Sequence, residues 1–259
     1  MPFPVESLDQ MQGFFWVLVR VSIILFLLPI FGAKGVPILW KAGFSLLISM
    51  ILTPLVPPPK TFPETAPEVL IGVLSEGMMG VLMAFGVKML FSTVQIAGQF
   101  MAFQMGFSMA RAMDPVTGAQ STVLSQFLYL FLILIFFSID GHHYFIQALA
   151  HSFYVVPPNG FHLNGSLSTL LVKTSSQMLG IALKIAAPII IALFLTSLAL
   201  GIVARTVPQV NILMIGFPIR VAIGLIFFGF TISNLAPFLA DLTKSMYRLL
   251  MEVIYLAGR

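Results

Sequence analysis

The chain has 259 residues, of which 59% are hydrophobic and 8% charged, with a formal net charge of +4. A soluble domain carries roughly a quarter charged residues, so this composition describes an integral membrane protein, and an all-α fold is expected of it. Thirteen basic residues are too few for a nucleic-acid surface. The absence of cysteine excludes disulfides, thiolate metal sites and cysteine nucleophiles.

The N-terminal segment Met1–Gln12 is acidic, with Glu6 and Asp9, and the apolar run after it is too long for a cleavable signal. A helix needs about 20 apolar residues to cross a hydrocarbon core. Gly13–Phe31 meets that length with Arg20 embedded, and Ile38–Val56 meets it with Lys41 near its start. Val69–Gln104 is longer than one span, roughly 54 Å at about 1.5 Å per residue. Its glycines, Gly72, Gly77, Gly80, Gly86 and Gly98, predict a bent, broken or protruding helix. Val116–Ile139 is charge-free. Ser176–Ala204 carries Lys184 and Pro188, Val221–Ala240 is charge-free, and Asp241–Leu256 reads as a closing amphipathic helix. The expectation is about six hydrophobic helical segments.

Prolines mark the expected breaks. Pro54 and Pro57–Pro59 stop the second segment, and Val155–Gly160 opens a polar loop reaching Ser168. Pro208 and Pro218 bracket an apolar tip with a cation at each mouth, Arg205 and Arg220. Loop charge does not orient the chain. Lys34, Lys41, Arg111, Arg205 and Arg220 would fall on one side, and Lys60, Lys173, Lys244, Arg248 and Arg259 on the other.

Charges inside apolar segments are functional suspects, because lipid does not stabilise them. Arg20, Lys88, Lys184 and Arg220 are expected to be buried against protein, with Glu76 the one buried acid. Gly72, Gly77, Gly80 and Gly86 offer small faces for close helix packing. Met101, Met105, Met109 and Met113 recur every four residues, which on a helix makes one drifting stripe flanked by Phe103 and Phe107. That stripe is either core packing or a compliant seal, since methionine adapts to changing partners. Gly106, Arg111, Asp114-Pro115 and Gly118 then interrupt the apolar pattern. A polar segment at membrane depth needs protein or a water-filled cavity around it.

Asp140-Gly141-His142-His143 resembles a metal cluster, but adjacent histidines diverge on a regular helix and His151 and His162 lack zinc spacing. No metal or cofactor is expected. No catalytic pair, phosphate loop or paired-carboxylate motif is present, so no enzymatic activity is expected. Asn164-Gly165-Ser166 is a formal glycosylation sequon.

Three motifs follow in order: QMGFSMARAMDP (Gln104–Pro115), DGHHYFIQALAHSFYVVPPNG (Asp140–Gly160) and PQVNILMIGFPI (Pro208–Ile219). With Arg20, Pro29 and Pro37–Lys41, the chain resembles the FliR family of flagellar type III export-gate proteins over essentially its whole length. The injectisome gate protein SctT shares the plan. The resemblance implies a FliP-like part, residues 1–165, fused to a FliQ-like helical hairpin with a C-terminal helix, residues 166–259. It implies assembly with FliP and FliQ, a site facing FlhB, and a pore for unfolded substrates. The implied location is the bacterial inner membrane at the flagellar basal body, partly lifted toward the periplasm. By position, the plug of the pore is Gly106, Phe107, Met109, Arg111, Met113, Asp114, Pro115 and Gly118, beside a Met101/Met105 seal. The FlhB-facing tip is Arg205, Pro208, Gln209, Asn211, Phe217, Pro218 and Arg220. A secondary transporter with broken helices is the alternative reading of the same residues.

Overall fold

A computed structural model describes residues 8–30, 36–57, 65–107, 122–206 and 212–258. These are helical: α1 Leu8–Leu27, α2 Ile38–Leu52 continued by a 3₁₀ turn at Thr53–Leu55, α3 Ala66–Gln104, α4 Val123–Ser138, α5 Gly141–Val155, α6 Gly165–Thr206 and α7 Ile212–Ala257. The protein is all-α and of membrane type. Four of its helical elements are long and apolar enough to cross a bilayer. The pair α4 and α5 passes the same test only when taken together, as a broken span or a re-entrant loop.

Several sequence expectations need correction. Of the bent, broken and protruding alternatives for the third segment, the broken one is ruled out. Residues 66–104 form one helix, because glycine within a helix costs only about 1 kcal/mol, which packing at close contacts offsets. Pro218 does not close the tip; it lies inside α7, as does Pro237. The C-terminal segment from Asp241 is the continuation of α7 and not a separate helix. The loop after Val155 ends at Gly165, and α6 runs through Pro188 to Thr206. Proline removes one backbone bond, and a long helix tolerates the loss where neighbouring groups satisfy what is freed. Residues 141–155, which carry no long apolar run, are also helical.

The chain divides into two compact units made of interleaved segments. One comprises residues 1–90, 140–174 and 243–259, and the other residues 91–139 and 175–242. In the first, α1 presents Trp16, Val17, Arg20, Val21 and Ile24 to the interior, a face with helical spacing. The glycines of α3 receive it. A Cβ at Gly80 would stand 3.2 Å from the Arg20 carbonyl, and one at Gly77 would stand 3.3 Å from Ile23. Gly72 is roofed by Trp16 and the Asn159 side chain, and Gly86 meets Leu250 of α7. Asn164 ties the start of α6 to the end of α7. Its Oδ1 accepts from the Leu167 amide at 2.8 Å and so caps α6, while its Nδ2 donates to the Leu256 carbonyl at 2.8 Å. The formal sequon asparagine therefore has a structural task.

In the second unit, α4 buries Leu124, Leu128, Leu132 and Phe136 along one stripe. Phe91 of α3 packs on Tyr129 and Phe136, with ring centroids 5.6 and 5.9 Å away. Thr122 caps α4 by accepting from the Ser125 amide at 3.2 Å. Gly98 lets the two backbones meet, since a Cβ there would fall 2.5 Å from Ser125 Cα.

Gly98→Leu should therefore force α3 and α4 apart and destabilise the protein by about 1–3 kcal/mol or more. Gly180→Ala faces open space and should be neutral or stabilising by about 0.5–1 kcal/mol. Midpoints of heat-induced aggregation of the solubilised protein compare the two.

Candidate functional site

A charged node lies at the centre of the first unit. Arg20 and Glu76 are both fully buried. Arg20 Nε donates to Glu76 Oε2 at 2.6 Å, and Nη2 donates to Oε1 at 3.1 Å. Nη2 also donates to the Val156 carbonyl at 3.0 Å, and Nη1 to Ser152 Oγ at 3.1 Å. The Phe153 ring lies 4.2 Å from the guanidinium carbon, within cation–π range. The carboxylate takes a third donor, the Asn159 amide, on Oε1 at 3.1 Å. Ser152 completes the set by donating to the Leu149 carbonyl at 2.7 Å. One guanidinium thus joins α1, α3, α5 and the loop after α5. The pair survives burial because both ions are hydrogen-bonded on several sides.

Local sequence explains the loop. Gly160 donates to the Pro157 carbonyl at 2.8 Å, with Asn159 left-handed at φ 65°. Proline followed by asparagine is the pattern of a type II turn. The turn aims the Asn159 amide at Glu76. Sequence reasoning singled out Arg20 and Glu76 but missed Ser152, Phe153 and Asn159. The Pro-Pro-Asn-Gly run was the available signal for the last.

In the second unit, α3 stops where Gly106 adopts φ 92°, a conformation that glycine takes without strain. The methionine stripe divides there. Met101 and Met105 are fully buried within the unit. Met105 packs against α7 so closely that a Cβ at Gly224 would stand 2.5 Å from its methyl carbon. Phe217, on the first turns of α7, covers Gly106 and meets the Phe107 ring edge-on at 6.4 Å. Gly106, Phe107 and Phe217 are thus brought together, although Phe217 had been assigned to a different site. Met109, Arg111, Met113, Asp114, Pro115 and Gly118 lie outside the described residues, as do Pro208, Gln209 and Asn211. Arg205 and Pro218 are exposed, and Arg220 is half-buried.

Lys88 and Lys184 are exposed on the surface of the single chain, so any protein that covers them comes from outside it. One further expectation changes. The histidines of Asp140-Gly141-His142-His143 do converge. Asp140 is left-handed at φ 57° and immediately precedes α5, on whose first turn both histidines lie. The two rings stand 4.2 Å apart, His143 Nδ1 lies 3.3 Å from Asp140 Oδ1, and one donor from each residue falls within 4.8 Å of the others. Tetrahedral zinc wants donors about 3.4 Å apart, from bonds of about 2.0–2.1 Å.

Residues 11–246 match the family model described as bacterial export proteins, family 1. A flagellar biosynthetic protein FliR from Bacillus subtilis is 34% identical over 222 residues, covering 85% of each chain. Proteins of the same name from Pectobacterium carotovorum and Escherichia coli K12 are each 29% identical over 249 residues, covering 96% of this chain and 95% of theirs. The chain belongs to the FliR family of bacterial export proteins. Its family motif regions coincide with both centres. DGHHYFIQALAHSFYVVPPNG contains Ser152, Phe153, Val156 and Asn159 of the charged node, QMGF contains the helix stop at Gly106, and PQVNILMIGFPI contains its partner Phe217.

Arg20→Met leaves the Glu76 carboxylate buried without its cation, which should cost about 3–5 kcal/mol. Arg20→Met with Glu76→Met should recover most of that loss, because no unpaired ion remains. Thermal midpoints of wild type, both single variants and the double variant form the cycle that checks it.

Proposed function

We propose that this FliR-family chain is a pore-forming structural subunit of the flagellar type III export gate, through which unfolded export substrates pass. The observation that carries the reading is the stop of α3 at Gly106. A buried apolar helix there gives way to a segment bearing Arg111, Asp114 and Pro115, and its first residues are held on α7 by Phe217. A polar, glycine-bounded segment between apolar helices suits a plug surrounded by protein or a water-filled conduit. The plug comprises Gly106, Phe107, Met109, Arg111, Met113, Asp114, Pro115 and Gly118. Phe107, Met109 and Met113 close it by excluding water.

The chain performs no chemistry in this role. Energy from ATP or a proton gradient enters through other subunits. FliP and FliQ are its assembly partners. Residues 1–165 take the FliP-like part, and the α6–α7 hairpin with the C-terminal end of α7 takes the FliQ-like part. Lipid or partner protein covers the extensive apolar surface of that hairpin. In the most apolar windows of α6 and α7 only 22% and 17% of residues are buried by the chain itself. The tip around Arg205–Arg220 faces the cytoplasm and FlhB, at the flagellar basal body of the inner membrane, with part of the assembly raised toward the periplasm. A secondary transporter is less well supported. Among the described residues Glu76 is the one buried carboxylate, and Arg20 already occupies it.

Removal of Phe107–Thr117 should raise ion leakage across the membrane several-fold while assembly with FliP and FliQ persists. Normal assembly with wild-type conductance would make the segment simple packing. Photo-crosslinkers at Val210 or Ile212 should capture FlhB, and capture of periplasmic components alone would reverse the orientation of the tip.

A further inference from the structure

Lys184 is the one charge within the long apolar part of α6, between Lys173 and Arg205. It lines a groove of about 350 Å³ on the α6–α7 hairpin, together with Phe227, Phe230, Thr231, Asn234 and Phe238. The groove fixes its level along α7. Val221–Ala240 holds no charge and is bounded by Arg220 and Asp241. That stretch is about 30 Å of helix, the thickness of a hydrocarbon core. Asn234, which shares the groove with Lys184, lies about 10 Å inside the Asp241 end and about 21 Å from the Arg220 end, at ~1.5 Å per residue. The Lys184 ammonium therefore enters the apolar layer, and its flexible stem recovers only part of that depth.

Nothing described in this chain neutralises it. Lys184 is exposed and makes no hydrogen bond or ion pair among the described residues. Thr231 Oγ1 donates to the Phe227 carbonyl at 2.8 Å, and Asn234 Nδ2 donates to the Phe230 carbonyl at 3.3 Å. Their oxygens remain as neutral acceptors for the ammonium, and neither is an anion. A cation at this depth calls for a counter-charge. A phospholipid phosphate sits outside the hydrocarbon layer, beyond the Asp241 level. The three phenylalanines make the rest of the groove suitable for apolar side chains.

We propose that the groove seats an apolar helix of another membrane subunit, and that a single Asp or Glu on that helix pairs with Lys184. This rests on the reading of the chain as a subunit of a larger assembly and adds the chemistry of one contact. The ion pair would fix the depth and rotation of the incoming helix. Apolar packing alone specifies both poorly, and a lone polar pair in an apolar interface fixes register.

The test uses the full chain in its native membrane. A benzophenone amino acid replaces Phe230, and the crosslinked peptide is sequenced. An apolar helix with an Asp or Glu within one turn of the crosslink is expected. Lys184→Glu should lower recovery of the complex at least tenfold, and Lys184→Arg should keep it. Changing the captured carboxylate to Lys should restore assembly in the Lys184→Glu background, which a folding defect would not allow. Crosslinking to phospholipid alone overturns the proposal. So does a Lys184→Glu complex recovered at wild-type levels, or failure of the charge swap. If the swap succeeds but the captured helix belongs to a protein with no part in export, the contact stands and the export-gate reading fails.

Discussion

The first compact unit depends on one buried ion pair. Arg20 on α1 and Glu76 on α3 hold each other in a bidentate contact, and every remaining donor or acceptor around them comes from α5 or the loop after it. Such a node is costly unless complete. Each of its partners is therefore constrained in position, and the glycines of α3 must let α1 approach closely enough for the contact to form. The left-handed Asn159 is part of the same requirement, since only that turn delivers a backbone N–H to the carboxylate. Whether such a node mainly stabilises the fold or mainly selects one arrangement of apolar helices, its geometry is directional where the surrounding packing is not.

The second unit follows a different logic. Its contacts are aromatic and methionine packing against small residues: Phe91 against Tyr129 and Phe136, Gly98 against Ser125, and Met105 against Gly224. Apolar contacts of this kind are individually weak and tolerate sliding. This unit also contains the helix stop at Gly106 and the hairpin with exposed apolar faces. A channel that must seal and reopen needs surfaces that can repack, and a directional ion network at the same place would resist it. The division of the chain into a part organised by charge and a part organised by apolar packing therefore fits the proposed role.

Much of the architecture was legible from residues alone. The membrane class follows from the scarcity of charge, and the helix positions follow from apolar run length, since both depend on solvent transfer and need no tertiary information. Arg20 and Glu76 stood out because a charge in an apolar run is anomalous. The errors have physical causes too. Pro218 was read as closing a tip, although the helix runs through it. Lys88 and Lys184 were expected against protein, and hydropathy does not say whether that protein is the same chain or a neighbour. The convergence of Asp140, His142 and His143 was missed because helical period fixes where side chains leave the backbone, not which rotamers bring their rings together.

By itself, the sequence determined an all-helical membrane protein of the FliR family, the charges that demand partners, and the glycines that permit close approach. Only the tertiary structure decided which partner each charge takes. Arg20 meets Glu76, Ser152 and Val156 across separations of 56, 132 and 136 residues. It also decided that Gly106 and Phe217, from motifs far apart in the chain, form one contact. The reason is common to both. Hydropathy and helical period are local properties of a segment, whereas pairings between helices depend on their rotation and depth against one another.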